Sequence, residues 1–256
     1  MNNRLIIFFL FLILSTNFAQ DHSIFTTVLQ KYVEDGWVNY EELKKDSEFK
    51  NYLEILHKTD PSKLNADEVK LAFWINAYNA FTLEIILEFY PVESINDLHS
   101  GGLYLGTVLG TTVWDKDLFE INGKMISLNY IEHEILRKDF EEPRIHFAIV
   151  CASIGCPQLR NEAFESDKIY KQLEEQSIQF VNDKTKNLFD LQNREAKISK
   201  IFDWFEEDFG ENDEQVLIYL ANFLPKEVAE DIKMNADKWD LGYTDYDWNL
   251  NDIKSK

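Results

Sequence analysis

Leu71-Ala72-Phe73-Trp74-Ile75-Asn76-Ala77-Tyr78-Asn79-Ala80-Phe81-Thr82-Leu83 is apolar on nearly every face of the helix it is expected to form. A helix with an apolar stripe lies on a surface, whereas one that is apolar all round is buried. This segment is therefore expected to run through the centre of the fold. Asn65 or Asp67 can cap its start, and it should run to about Tyr90, with Pro91 just beyond. Asn76 and Asn79 stand three apart and so share one face. An unpaired buried amide costs about 1–3 kcal/mol, so both need partners. They either tie the helix to neighbouring loops or orient a catalytic group and donate to an oxyanion.

Periodicity places other elements around this helix. Ser23 to Glu34 and Tyr40 to His57 carry apolar residues at three-to-four spacing and predict two amphipathic helices, with Asp60-Pro61-Ser62 breaking the pattern. Thr107 to Ile121, followed by Asn122-Gly123 and Lys124-Met125-Ile126, predicts a hairpin. Asn129 to Lys138 reads as helix, Ile145 to Cys151 as a buried strand and Asp167 to Val181 as helix. Lys197 to Phe202 suggests a short strand, and Glu214 to Lys233 a helix split by Pro225. Tyr246, Trp248 and Leu250 alternate with Asp245, Asp247 and Asn249, as in a half-buried extended tail. The expected class is α+β: a single helix-rich domain around a mostly antiparallel sheet.

Composition narrows the function. The 256 residues include 46 acidic and 26 basic side chains, a net charge of −20, which disfavours nucleic acid or an anionic membrane as partner. Arg4 precedes ten apolar residues, Leu5 to Leu14, and Ala19 stands at a candidate cleavage edge. A bilayer span needs about 20 apolar residues, so residues 1–19 read as a cleaved signal peptide and 20–256 as the exported domain, with no membrane span remaining.

The chemistry concentrates in Arg144-Ile145-His146-Phe147-Ala148-Ile149-Val150-Cys151-Ala152-Ser153-Ile154-Gly155-Cys156-Pro157, which holds both cysteines of the chain. In an oxidising compartment Cys151 and Cys156 form a disulfide by default, and a tight turn could close it. Two free structural thiols, or a nucleophilic Cys151, are the other readings. His146 is five residues before Cys151, so on a regular strand the two would face opposite sides. Glu132 and His133 are helix neighbours and should diverge by about 100° unless the helix distorts. With His133 or His146 as base, Glu132 assisting and Ser153 orienting, Cys151 could attack a substrate. Arg144 could bind a substrate carboxylate or pair with Glu132.

No His-x-x-x-His or Cys-x-x-Cys spacing supports a metal, and no cofactor motif is present. The tail fails as a calcium loop because Leu250 and Lys256 stand where Gly and Glu are required. The glycines at 101, 102, 106 and 110 form no phosphate-loop pattern.

Ala72 to Ala80, Leu128 to Arg137 with Ile131-Glu132-His133, Arg144 to Pro157, and Tyr246 to Asn251 together resemble domain-of-unknown-function family 547, in its exported bacterial form. The resemblance implies a fold similar to papain-like or transglutaminase-like cysteine hydrolases. In those, His follows the nucleophilic Cys, whereas here all five histidines precede Cys151. If the buried helix takes the place of the nucleophile helix, Asn76 stands where a thiol is needed, as in a non-catalytic relative. Two functions follow as expectations. One is an exported hydrolase of peptide or cell-wall amides with Cys151 as nucleophile. The other is a non-catalytic binding module using the same cleft for a small molecule or peptide.

Overall fold

The computed structural model describes residues 21–98 and 112–256. The expected signal peptide, His99, the four glycines and the front of the expected hairpin up to residue 111 lie outside the described residues. The first element among the described residues is α1 (Ser23–Tyr32), whose Phe25, Val28, Leu29 and Tyr32 are buried. A short antiparallel pair, β1 (Val33–Glu34) and β2 (Trp37–Val38), follows. The helix expected over residues 40–57 is in fact two, α2 (Tyr40–Leu43) and α3 (Ser47–Lys58). Asp46 makes the break. Its carboxylate accepts the backbone N–H groups of Glu48 and Phe49 and also takes Lys31 and Tyr32, so it caps a new helix instead of continuing the old one.

The quoted apolar segment is α4 (Asp67–Phe89), buried along almost its whole length. Ala66 is its N-cap, without a side-chain cap, so neither Asn65 nor Asp67 fills that role. Asn122 and Gly123 both have positive φ and turn β3 (Phe119–Ile121) into β4 (Lys124–Ile126). This is the pair of conformations a two-residue hairpin turn needs. Upstream of β3, Val113–Asp115 is a 3₁₀ turn, where the expectation had been strand.

Tyr130–Leu136, here α5, winds as a π-helix, with the Arg137 N–H reaching the Glu132 carbonyl. Beyond Cys156, α6 (Ile169–Val181) leads to β5 (Leu188–Asp190) and β6 (Glu195–Ile198). Then follow α7 (Ile201–Trp204), α8 (Glu206–Phe209), α9 (Asp213–Leu220) and α10 (Lys226–Asn235). Pro225 is the N-cap of α10, so the split occurs at the expected place. The last strand, β7 (Asp240–Tyr243), joins β6 in parallel, while β5 pairs with β6 antiparallel. The architecture is α+β, with the strands of the described residues dispersed among three small sheets around the helices.

The buried side chains fall into two clusters. One surrounds α4 and includes α1, α3, Ile145 and Ala148. The other gathers Phe147, Phe180, Phe202 and Phe209 with the C-terminal helices. Residues 145–151 are not a strand, contrary to the sequence pattern: Pro143–Phe147 is a 3₁₀ turn. Three residues per turn put Ile145 and Ala148 on one side and deliver Phe147 to the other cluster. His146 and Ile149 then share a third direction, along the seam where the clusters meet.

Candidate functional site

That seam opens as a cleft of about 260 Å³. Its lining includes Glu132, His133, His146, Cys151 and Cys156, with Trp204, Phe205, Tyr246 and Trp248 forming an aromatic side. The two conflicts in the sequence reading resolve through local geometry. Strand parity no longer separates His146 from Cys151, because the chain leaves a 3₁₀ turn at Phe147 and runs on to Cys151 without strand structure. Glu132 and His133 both reach the cleft because α5 is a π-helix, and such turns often occur at functional sites.

Charge is arranged as a chain. His146 Nε2 lies 2.6 Å from Asp208, and Arg137 holds the same carboxylate through Nε at 2.6 Å and a second nitrogen at 2.9 Å. A carboxylate only accepts, so Nε2–H of His146 donates, and its Nδ1 has no hydrogen-bond partner among the described residues. Arg137 also donates to His133 Nδ1 at 3.0 Å. Arginine has no acceptor, so a neutral His133 carries its proton on Nε2. Burial raises the Asp208 carboxyl, but the hydrogen bonds and charges of His146 and Arg137 outweigh it and hold it well below the usual carboxylate range. Phe205 stacks on His146 with ring centres 4.2 Å apart and lies under the Arg137 guanidinium. Tyr78, which also lines the cleft, donates to Glu132 at 3.0 Å. Burial first, then the Glu132 charge, keeps that phenol protonated.

Cys151 and Cys156 are joined as a disulfide, with Cα atoms 6.3 Å apart. In this state Cys151 has no thiol and cannot act as a nucleophile. The Cys151 N–H points to Cys156 Sγ at 3.0 Å, and the Tyr246 hydroxyl lies 3.2 Å from both sulfurs. The Ser153 hydroxyl donates to Tyr246 at 2.9 Å and lies 3.1 Å from Cys151 Sγ. The C-terminal tail brings Tyr246 there. Asn251 N–H bonds Ala152 O, Ile154 N–H bonds Asn249 O and Gly155 N–H bonds Asp247 O. A Cβ at Gly155 would come within 3.0 Å of the Asp247 backbone and the Tyr246 ring, so the close approach needs glycine. Ala152 adopts φ of 66°, a left-handed conformation retained within this pairing.

The remaining expected site residues are placed differently. Asn76 bonds both backbone groups of Phe164, at 2.8 and 2.9 Å. Asn79 accepts from Val150 N–H and donates to Ala148 O. Each amide acts as a clip for an irregular segment, and neither lines the cleft. Arg144 pairs with Glu142 and Glu174, not with Glu132, and is not part of the cleft lining. Asp208, Trp204 and Phe205 escaped the sequence reading. They sit in an acidic, aromatic stretch whose only signal was the run Trp204-Phe205-Glu206-Glu207-Asp208-Phe209. Among the described residues, no group of three or more His, Cys, Asp or Glu could hold a metal ion. No helix among them is long and apolar enough to cross a membrane.

An α+β fold with a polar constellation at the junction of two cores defines the class. Residues 61–181 match the family model described as Protein of unknown function, DUF547, and this segment is assigned to that family. The match encloses Asn76, Glu132, His133, His146 and both cysteines, while Asp208 and Tyr246 lie beyond it. No curated protein and no solved structure matches the chain.

Proposed function

We propose that the seam cleft is a ligand site and that, with the disulfide closed, the protein works as a binding module for a small-molecule or peptide ligand. The observation that carries this reading is the convergence of Glu132, His133 and His146 beside Trp204, Tyr246 and Trp248 in one cleft. A few polar groups fixed in a largely apolar concavity are the usual composition of a ligand pocket. The aromatic side suits a flat or apolar ligand group, and Glu132 suits a hydrogen-bond donor. Tryptophan fluorescence tests this with soluble muropeptides and short peptides as probes. A saturable change that is lost in Trp204→Ala and weakened in Glu132→Gln supports the site. A response unchanged in both variants, or no response to any probe, overturns it.

One observation favours a second reading, the cysteine hydrolase of peptide or cell-wall amides. His146, oriented by Asp208, lines the same cleft as Cys151. After reduction, His146 Nδ1 could take the thiol proton and Cys151 attack an amide carbonyl. Reduced protein should then alkylate with iodoacetamide faster than a model thiol at neutral pH, and His146→Ala should remove the advantage. Equal rates would dismiss the hydrolase.

Export rests on residues 4–19 and agrees with a disulfide, which oxidising compartments favour. Intact mass of protein from the native host should show a chain starting near Gln20, and a retained Met1 would refute it.

A further inference from the structure

We infer that the Cys151–Cys156 bond is an exchangeable disulfide, which oxidises a thiol ligand entering the cleft. The two sulfurs differ in surroundings. Both line the cleft, but Cys151 is half-buried and is the more exposed of the two, so it is the sulfur an incoming thiolate reaches more readily. Cys156 is only 6% exposed and receives the Cys151 N–H, while the Tyr246 O–H stands 3.2 Å from both sulfurs and can turn to Cys156 once the bond opens. A disulfide sulfur is a weak acceptor and gains little from two donors. A thiolate gains much, since hydrogen bonds to a charged group are roughly twice as strong as neutral ones. The donor set therefore matches the state that follows cleavage.

The relay extends further. Ser153 donates to Tyr246, and Tyr246, once turned, donates to Cys156. Burial raises the Tyr246 phenol, so it remains a protonated donor throughout the neutral range. Stabilising the leaving thiolate speeds exchange and favours the reduced protein.

The step balances with a thiol as reductant. A ligand thiolate attacks Cys151 Sγ, the Cys151–Cys156 bond breaks, and Cys156 departs as a thiolate. The ligand is now joined to Cys151 as a mixed disulfide. A second thiolate, from the same dithiol or another molecule, attacks the ligand sulfur and releases Cys151. Two thiols have become one disulfide, two electrons have passed to the protein, and the two cysteines take up the two protons. A low-molecular-weight disulfide reverses the sequence and restores the bond.

The inference rests on the cleft admitting a ligand. Glutathione and dithiothreitol serve as probes, with iodoacetamide quenching and intact-mass readout on the native protein. The Cys156→Ser variant treated with oxidised glutathione should carry one glutathione on Cys151, and Cys151→Ser should react far more slowly. The wild-type equilibrium with reduced glutathione should shift about tenfold toward the disulfide in Tyr246→Phe, or about 30 mV for this two-electron couple. This variant keeps the ring, and a matching denaturation midpoint in the oxidised state separates a lost donor from a lost fold. Three results would overturn the inference: a native disulfide inert to glutathione, adduct formation preferentially at Cys156, or a Tyr246→Phe equilibrium equal to wild type. A protein that responds to muropeptides by fluorescence but stays oxidised keeps its binding site and loses this chemistry. One that exchanges thiols without any muropeptide response does the reverse.

Discussion

His146 and Asp208 stand 62 residues apart in the chain and 2.6 Å apart in space. The contact fastens the 3₁₀ turn, which joins the two clusters, to the end of α8. Arg137 on the neighbouring helical turn closes the same carboxylate from the other side. One acidic side chain thus sets the position of two elements of the cleft.

Asp208→Asn should leave the Arg137 guanidinium short of a charged partner and cost about 1–3 kcal/mol, read from the urea midpoint at pH 7. The folded carboxyl titrates below its unfolded value, so its contribution is full above the ordinary carboxylate pKa of about 4 and is lost as pH falls below it. The variant should therefore lose stability less steeply than wild type below about pH 4. Parallel acid-denaturation curves would contradict the assignment.

His22 is buried against Tyr52, with Nδ1 2.7 Å from the phenol oxygen, and burial lowers its pKa to about 4. Its charged form is disfavoured in the fold, so the unfolded chain binds the extra proton between about pH 6.5 and 4. Stability from this group is complete above about pH 6.5 and falls by roughly 3 kcal/mol as pH drops through about 4. His22→Phe should flatten that part of the curve. Denaturation midpoints at pH 7.5, 6, 5 and 4 measure the slope in both proteins.

Asn76→Leu and Asn79→Leu should each destabilise, by about 1–3 kcal/mol for each backbone group left unpaired. They should differ in function. Asn79 clips Ala148 and Val150, the segment between His146 and Cys151, whereas Asn76 clips Phe164 outside the cleft lining. At a temperature where both variants are folded, only Asn79→Leu should alter the fluorescence response to muropeptides. The same response from both would show that the clip does not position the site.

Gly155→Ala should push the tail away from the cysteine loop, because the added methyl meets backbone atoms of Asp247 instead of a movable side-chain end. Overpacking of this kind costs about 1–3 kcal/mol. Hydrogen exchange should accelerate at the Ile154 and Gly155 amides, which bond the tail, and not at the amides of α1. Unchanged exchange at those two amides would mean that the tail contact is dispensable.

By itself the sequence determined the elements whose cause is local. The burial of α4 follows from an apolar composition on every face, the hairpin from Asn122-Gly123, the division before α10 from Pro225, and the tail's alternation from its side chains. The same locality explains why it pointed to Glu132, His133, His146 and Cys151, which lie within two short blocks of unusual composition. Tertiary structure decided whether these residues could meet. An apolar run such as Ile145 to Cys151 fits a strand or a 3₁₀ turn equally well by pattern, and the choice rests on two cores on opposite sides claiming successive side chains. The π winding that turns Glu132 and His133 to one cleft has no local signature. Asp208, Trp204 and Tyr246 join the site through contacts spanning tens of residues, and charge and aromatic character alone do not reveal such partners. Periodicity reports one element's own surface; a site depends on which surfaces the packing brings together.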